Sequence, residues 1–306
     1  MSEVDTTSSR PVGARTPPET RRTRILRDRF EIRERIGEGG VGVLYRAIDR
    51  RRREAGMADG AVAVKMPGKA FRTCPEVLRS LQREARNARL LVHPNIRTVY
   101  ALDRSATDPF ITMEWLDGES LARRLDRTGS RGIQWPAACR ILSGVAAGLM
   151  HAHRQGIVHG DVKPGNVFIT VRGQIKLLDF GQAHAVASTR RAGGRRAISP
   201  AYASCELHEG APAEIGDDVF SLAVMAYRIL SGVRPFGRYT APIGERAGVR
   251  ALRPLGLSEP QWRVLQQGLA WRREHRPPGV AEFVEGLLQR PAVRRSARGL
   301  SLHAAA

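Results

Sequence analysis

Two lysines, three carboxylates and an asparagine stand where charge needs a reason. Lys65 ends the apolar run Ala61-Val62-Ala63-Val64. An ammonium there is costly to bury without a partner. It reads either as a solvent-facing strand end or as a cation for phosphate oxygens, positioned by a carboxylate. Glu84, in Gln82-Arg83-Glu84-Ala85, follows 19 residues later on a helical segment. Without Lys65 it would read as part of a solvated helix face. Further on stands His159-Gly160-Asp161-Val162-Lys163-Pro164-Gly165-Asn166. Asp161 can accept or orient the proton of a hydroxyl, and Lys163 can neutralise charge on a transferred group. Asn166 offers a neutral oxygen to a hard cation. Pro164 and Gly165 fix a turn that gathers the three side chains. A plain polar hairpin loop is the competing reading, and the apolar strand Val167 to Thr170 that follows at once weakens it. Asp179 closes another apolar strand, 13 residues after Asn166. That is the distance a short hairpin needs to return to the same place. Asp179 is either an Asp turn or a ligand for Mg²⁺ between phosphates.

A glycine cluster precedes these residues: Gly37-Glu38-Gly39-Gly40-Val41-Gly42. Glycines let backbone N–H groups approach phosphate oxygens. In a chain with 31 glycines this signal alone is weak, and a hairpin turn is the bland alternative. A dinucleotide fold requires a helix directly after the glycines. Here Val43 and Tyr45 alternate instead, which predicts a strand and a flap over phosphates.

The positioning elements follow from periodicity. Alternation from Phe30 to Ala47 predicts strand, loop, strand. Strands are also expected at Ala61 to Met66, Arg97 to Leu102 and Phe110 to Trp115. Val77, Leu78, Leu81, Ala85, Ala88 and Leu91 have helical spacing. After Gly118 helices dominate, at Pro136 to His153, Asp217 to Ser231, from Ser258 with Pro260, and Val280 to Leu288. Val167 to Thr170 and Ile175 to Leu178 flank a turn at Arg172-Gly173. Residues 182–200 form a polar, acid-free loop bearing arginines. A strand-rich half before a helix-rich half predicts an α+β chain of two lobes with a cleft between them.

The 306 residues suffice for a full core, and 42% apolar with 26% charged is ordinary for a globular protein. Cys74, Cys139 and Cys205 are scattered, which suits neither a zinc site nor a disulfide framework and fits a reduced compartment. No apolar run is long enough for a membrane span, and the polar start lacks a signal-peptide core. The net charge is +20, with four lysines among 50 basic residues. Arginine-biased codons explain that surplus; a basic surface for acidic partners is the alternative. Lysine that persists against the bias marks places where a compact ammonium is needed. Residues 1–24 are expected to be a disordered basic tail and 291–306 a flexible one.

Taken in order, these motifs resemble the signature of bacterial, eukaryotic-like (Hanks-type) serine/threonine protein kinases. The resemblance covers nearly all of residues 30–290. It implies a bilobal fold over 25–290, with an antiparallel-sheet N-lobe (about 30–116) carrying one main helix. A larger, mostly helical C-lobe (about 117–290) follows. It implies ATP and Mg²⁺ as cofactors, protein substrates and a cytoplasmic location. Gly37, Gly39 and Gly42 would form the phosphate flap, and Lys65 with Glu84 the ion pair. Asp161 would be the catalytic aspartate with Lys163 beside it, and Asn166 and Asp179 would hold metal. Ile36, Leu44 and Ala63 would contact adenine, with Met113 as gatekeeper and Glu114 to Leu116 as hinge. Ser199 to Glu206 resembles the end of an activation segment, Asp218 to Leu222 the start of the central buried helix. Arg276 stands where the family pairs an arginine with Glu206.

The sequence departs from the family in two places. Gly160 replaces the arginine that grips an activation-loop phosphate. Phosphorylation at Ser188 or Thr189 is therefore expected to be dispensable, although Arg190, Arg191, Arg195 and Arg196 offer another grip. Cys205 replaces a proline, with only a local change expected. His-Gly-Asp also occurs in small-molecule phosphotransferases of the aminoglycoside- and choline-kinase type. Lys163-Pro164 and the Ser199 to Glu206 segment argue against that reading, and Lys163 argues against tyrosine specificity. A pseudokinase scaffold would lack one of Lys65, Asp161, Asn166 and Asp179; none is missing. No specific nucleic-acid partner is expected. The acid-free loop suggests protein substrates with acidic residues near the acceptor.

Overall fold

Alternating apolar residues can bury one face only as strands, and the N-terminal third does so. The computed structural model describes residues 24–39, 42–57, 59–106, 108–180, 184–185 and 198–289. Within them, β1 (Ile25–Leu26), β2 (Phe30–Gly39), β3 (Gly42–Asp49), β4 (Ala61–Pro67), β5 (Val99–Ser105) and β6 (Asp108–Glu114) form one antiparallel sheet. Its order is β1-β2-β3-β4-β6-β5. A short helix, α1 (Arg50–Glu54), is capped by Asp49, which Arg29 grips with two bonds of 2.8 and 2.6 Å.

The two-residue period sorts β4 onto two faces. Val62, Val64 and Met66 pack with Leu26, Phe30, Ala47 and Phe110 on one side. Ala63 packs with Leu81, Ile111 and Met113 on the other. Lys65 alternates with Ala63, so it faces α2 (Pro75–Ala88) and the cleft. Pro75 opens that helix at its first turn, where a missing N–H costs nothing. Its buried stripe is Val77, Leu81 and Glu84.

The second lobe begins with β7 (Gly118–Ser120) and α3 (Leu121–Thr128), whose first turn is capped by the Ser120 hydroxyl. The helix α4 (Trp135–Arg154) forms much of the core. It is followed by β8 (Ile157–Val158), β9 (Val167–Thr170), β10 (Ile175–Leu177) and β11 (His184–Ala185). Strands β10, β9 and β7 pair in that order, and β11 pairs with β8. The helices α5 (Cys205–His208), α6 (Ile215–Ser231), α7 (Ala241–Arg246), α8 (Glu259–Gly268) and α9 (Val280–Leu288) complete the lobe. Most of α6 is buried, and it closes at Gly232 in the left-handed region (φ 78°). Gly148 lets α4 approach the segment after α2: a Cβ there would stand 3.1 Å from the Asn95 carbonyl. That segment joins the lobes through an Ile96–Leu177 bridge and a bond from Arg97 N to Leu177 O.

The long elements lie where periodicity puts them, and the differences are short ones. The strand expected from Arg97 starts at Val99, because Ile96 and Arg97 pair with Leu177 instead. Leu91 lies beyond the end of α2. At the end of the expected N-terminal tail, Arg24 bonds Asp108 at 2.9 Å. The rest of that tail, nearly all of the 182–200 loop with Ser188, Thr189 and its four arginines, and the tail 291–306 lie outside the described residues. Inside the loop, His184–Ala185 is a strand that the polar composition concealed.

Candidate active site

The strand and helix periods bring Lys65 and Glu84 face to face. Lys65 Nζ lies 2.8 Å from Glu84 Oε2 and 3.2 Å from Asp179 Oδ2. Glu84 is buried, at 3% exposure. Burial disfavours the ammonium, yet the charges of Glu84 and Asp179 outweigh it and hold the Lys65 pKa above the ordinary lysine value. Asp179 has φ 58°, a left-handed conformation that Asp tolerates better than most residues. Phe180 beside it is buried and lies 4.6 Å from the His159 ring. Asn87 of α2 donates to the Phe180 carbonyl at 3.3 Å.

The second constellation is local. Asn166 Nδ2 donates to Asp161 Oδ2 at 3.1 Å and to its carbonyl at 2.9 Å. Lys163 Nζ lies 2.7 Å from Asp161 Oδ2 and donates to Ser199 Oγ at 2.6 Å. Asp161 Oδ1 is buried with no hydrogen-bond partner among the described residues. His159 sets the loop: Asp161 N donates to its Nδ1 at 3.2 Å. Its Nε2 therefore carries the proton and donates to Leu178 O at 3.0 Å. Together with Leu178 N→Asn166 O at 2.8 Å, this bond ties the Asp161 loop to the Asp179 strand. Asp218 of α6 anchors the same loop by accepting from His159 N and Gly160 N, each at 2.9 Å, while His153 Nε2 lies 2.7 Å away. Gly160 has φ 72°, a conformation free of cost only for glycine.

The sequence that carries this arrangement matches a known family. The profile of the protein kinase domain matches residues 30–303. The chain belongs to the protein kinase family. It is 33% identical over 281 residues to the serine/threonine-protein kinase PknA of Mycobacterium tuberculosis, covering 90% of this chain and 60% of that protein. It is 36% identical over 208 residues to the serine/threonine-protein kinase drp72 of Corynebacterium efficiens, covering 66% and 38%. It is 33% identical over 227 residues to PknB of Mycobacterium leprae, covering 72% and 34%. The chain thus spans about 60% or less of the length of these relatives. The bilobal fold of this kinase domain, a curled antiparallel sheet beside a helical lobe, is the one its motifs implied.

Most of the remaining expected site residues lie on β2, β3, β4 and β6. Gly39 pairs with Gly42 at the tip of the β2–β3 hairpin, and Gly37 pairs with Leu44. Gly42 has a steric reason to be glycine, since a Cβ would stand 3.1 Å from the Met66 carbonyl. Ala63 and Met113 are buried and paired across β4 and β6. Leu44 and Leu116 are half-buried. Ile36 is exposed, at an irregularity in β2. Glu114 turns its carboxylate to Lys176 Nζ at 2.9 Å and to Thr98 N at 3.2 Å. Arg276 bonds Glu206 at 2.8 Å, as the resemblance implies.

Sequence reasoning overlooked Lys176 and Arg97. Lys176 is 6% exposed and joins β10 to the end of β6 at Glu114. Its signal was available, for it is one of four lysines in an arginine-biased chain. Cys205 is fully buried at the first turn of α5, and burial pushes its thiol up to about 12, with the Glu245 charge adding to this.

Magnesium takes one or two protein oxygens and completes its shell with phosphates and water. Asn166 and Asp179, held together through the Leu178–Asn166 bond, supply such a partial set. Among the described residues no group of three or more His, Cys, Asp or Glu side chains has the geometry of a self-sufficient metal cage. A partial set of hard donors beside a half-buried ammonium, with an Asp161 carboxylate oxygen unpaired among the described residues, fits a metal–nucleotide pair.

Proposed function

We propose that this chain transfers the γ-phosphoryl group of ATP to serine or threonine hydroxyls of proteins. The observation that carries the reading is the meeting of Lys65 with Glu84 and Asp179, residues 19 and 114 positions away in the sequence. Chemistry of this kind consists mainly of positioning and charge compensation. Glu84 holds Lys65 so that its ammonium can engage phosphate oxygens. The glycines of the β2–β3 hairpin cover the phosphates, and Leu44, Ala63, Met113 and Leu116 line the adenine side, with Ile36 at its rim. Asn166 and Asp179 would hold Mg²⁺, which neutralises phosphate charge when bound. Asp161 orients the acceptor hydroxyl through its carboxylate and takes up its proton. Lys163 compensates charge on the group in transit, and its bond to Ser199 links the Asp161 loop to the segment where a peptide would lie. That link favours a protein acceptor over a small molecule.

Acidic residues near the acceptor are the expected preference, given the acid-free stretch from Gln182 to Pro200; a peptide array preferring basic residues would overturn this. Among the described residues no helix is long and apolar enough to cross a membrane, and a cytoplasmic location is part of the reading. The deciding experiment is incubation of the purified chain with labelled ATP and Mg²⁺, followed by phosphosite mapping on itself and on lysate proteins. Phosphoserine or phosphothreonine is the expected product. Label confined to a small molecule, or no transfer at all, would overturn the proposal.

A further inference from the structure

The helix that carries Glu84 is tied to the sheet at a second place, outside the cleft. Asp108 opens β6 and is buried, so its carboxylate needs cations. Two reach the same oxygen. Arg24 Nη2 lies 2.9 Å from Asp108 Oδ2, and Arg72 Nη1 lies 3.0 Å from it. Arg24 leads into β1, where its carbonyl accepts from Ile32 N at 2.9 Å. Arg72 leads into α2. It follows the 3₁₀ turn Lys69–Phe71 and stands two residues before Cys74, the N-cap. One carboxylate oxygen thus joins the entry of the sheet to the entry of the helix.

Cys74 makes no side-chain capping bond to α2. Its Sγ lies 3.2 Å from Glu76, and Glu76 pairs with Arg79 at 2.6 Å, contacts made within the helix and its cap. Leu81 packs with Ala63, Ile111 and Met113, but apolar contact has no preferred direction and allows a helix to pivot. Glu84 follows Pro75 by nine residues, about 13 Å along the helix axis. The two ion pairs therefore hold α2 at its start and well along its length. They also close a ring. Asp108 stands three residues before Ile111, which pairs with Lys65 across β6 and β4. Lys65 bonds Glu84, and α2 leads back through Arg72 to Asp108. Releasing Arg72 opens the ring and lets Glu84 shift against Lys65. A shift of about 1 Å exceeds the tolerance of their 2.8 Å bond and of a reacting geometry.

We propose that Arg72 and Asp108 are positioning residues for phosphoryl transfer: their bond fixes the start of α2 on β6 and so sets where Glu84 stands against Lys65. This deepens the transfer reading above and rests on it. Arg24 supplies a built-in comparison, because it engages the same oxygen from an element that does not lead into α2. Losing either arginine deprives Asp108 of one cation, but only the loss of Arg72 releases the helix.

The test is the initial rate of label transfer from ATP in Mg²⁺ buffer, onto the full chain itself and onto dephosphorylated casein, at a temperature where every variant is folded. Arg72→Met should lower the rate at saturating ATP about tenfold, and Arg24→Met by less than about twofold. Arg72→Lys should keep most of the rate. On a Glu84→Gln background, Arg72→Met should lower the remaining rate by less than about twofold, because residues acting through one contact are not additive. If Arg72→Met does not fold by circular dichroism, Arg72→Gln removes the same charge and keeps hydrogen-bonding capacity. Equal loss from Arg24→Met and Arg72→Met would mean that Asp108 only supports the sheet. The same loss from Arg72→Met on both backgrounds would mean that it does not act through Glu84. Either result overturns the inference, as does an unchanged rate in Arg72→Met. A wild-type chain that labels neither itself nor casein would overturn the transfer reading as well, a result seen before any variant is made.

Discussion

Two charged clusters in this kinase domain use the same kinds of residue to opposite ends. At the base of the helical lobe, Arg276 is fully buried and spends its donors on Glu206, Ala270 O, Gly216 O and Trp271 O. It also stacks over Phe220 at 4.9 Å. Arg273 beside it bonds Asp217, Glu214 and Pro212 O, and Asp217 accepts from Ser204 Oγ at 2.7 Å. In the cleft, by contrast, Lys65 divides itself between two carboxylates, and Asp161 Oδ1 and Arg97 Nε lack partners among the described residues. The closed cluster has its polar groups committed and can only stabilise. The open cluster keeps capacity for ligands at a cost in folding free energy, as a site that must bind charge requires.

The contrast breaks most visibly at Arg276. Arg276→Met leaves Glu206 with its bond from Arg273 N alone and strands nearby carbonyls inside the lobe, and should cost about 3–5 kcal/mol in denaturant unfolding. A loss below about 1 kcal/mol would mean that the closed cluster is not closed energetically. The open cluster should show the converse. Asp179→Ala should lower phosphoryl transfer by about 10²–10³, or roughly 3–4 kcal/mol of transition-state stabilisation, with little change in melting temperature. Lys65→Met should lose transfer to a similar extent and still fold. Near-wild-type turnover in either variant would contradict the assignment.

Lys176→Met tests an intermediate case, since Glu114 is the more exposed carboxylate, 26% against 12% for Glu206, and keeps its bond from Thr98 N. The expected cost is about 1.5–3 kcal/mol in unfolding, smaller than at Arg276. Acid sharpens the comparison further. Burial raises the Asp218 and Glu206 carboxyls, but bonds from His153 and Arg276 respectively outweigh it, so both sit below the ordinary range. A depressed folded pKa gives stability that is complete above the unfolded value near 4 and lost as pH falls through the folded one. Melting temperature should therefore drop below about pH 4, and Arg276→Met should weaken the part due to Glu206. The smallest expected effect is at Ser188 and Thr189. With Gly160 in place of an arginine, the double alanine variant should keep most of its activity in the transfer assay.

The open cluster was only partly legible in advance. The Asp161, Lys163 and Asn166 group spans six consecutive residues, and local turn chemistry alone gathers it. Glu84 could be read only through Lys65, which needs a carboxylate on the next helix; that it lies on the buried stripe with Val77 and Leu81 is shown by the structure. Arg97 could not: it falls in a stretch of mixed polarity that looks like the start of a strand, and nothing local shows that it points inward. Lys176 gave a compositional hint but no partner, because Glu114 lies 62 residues away.

The sequence by itself determined the lobes, their order and the residue types at each position in the cleft. Periods of 2.0 and 3.6 decide which face is buried, and a six-residue turn carries its own geometry. Tertiary structure alone decided which charges meet. Whether a buried ion is paired, shared or left open depends on chain segments far apart in sequence arriving within about 3 Å of one another. Packing of β4 against α2, and of β10 against the segment from Asn95 to Arg97, sets that distance here.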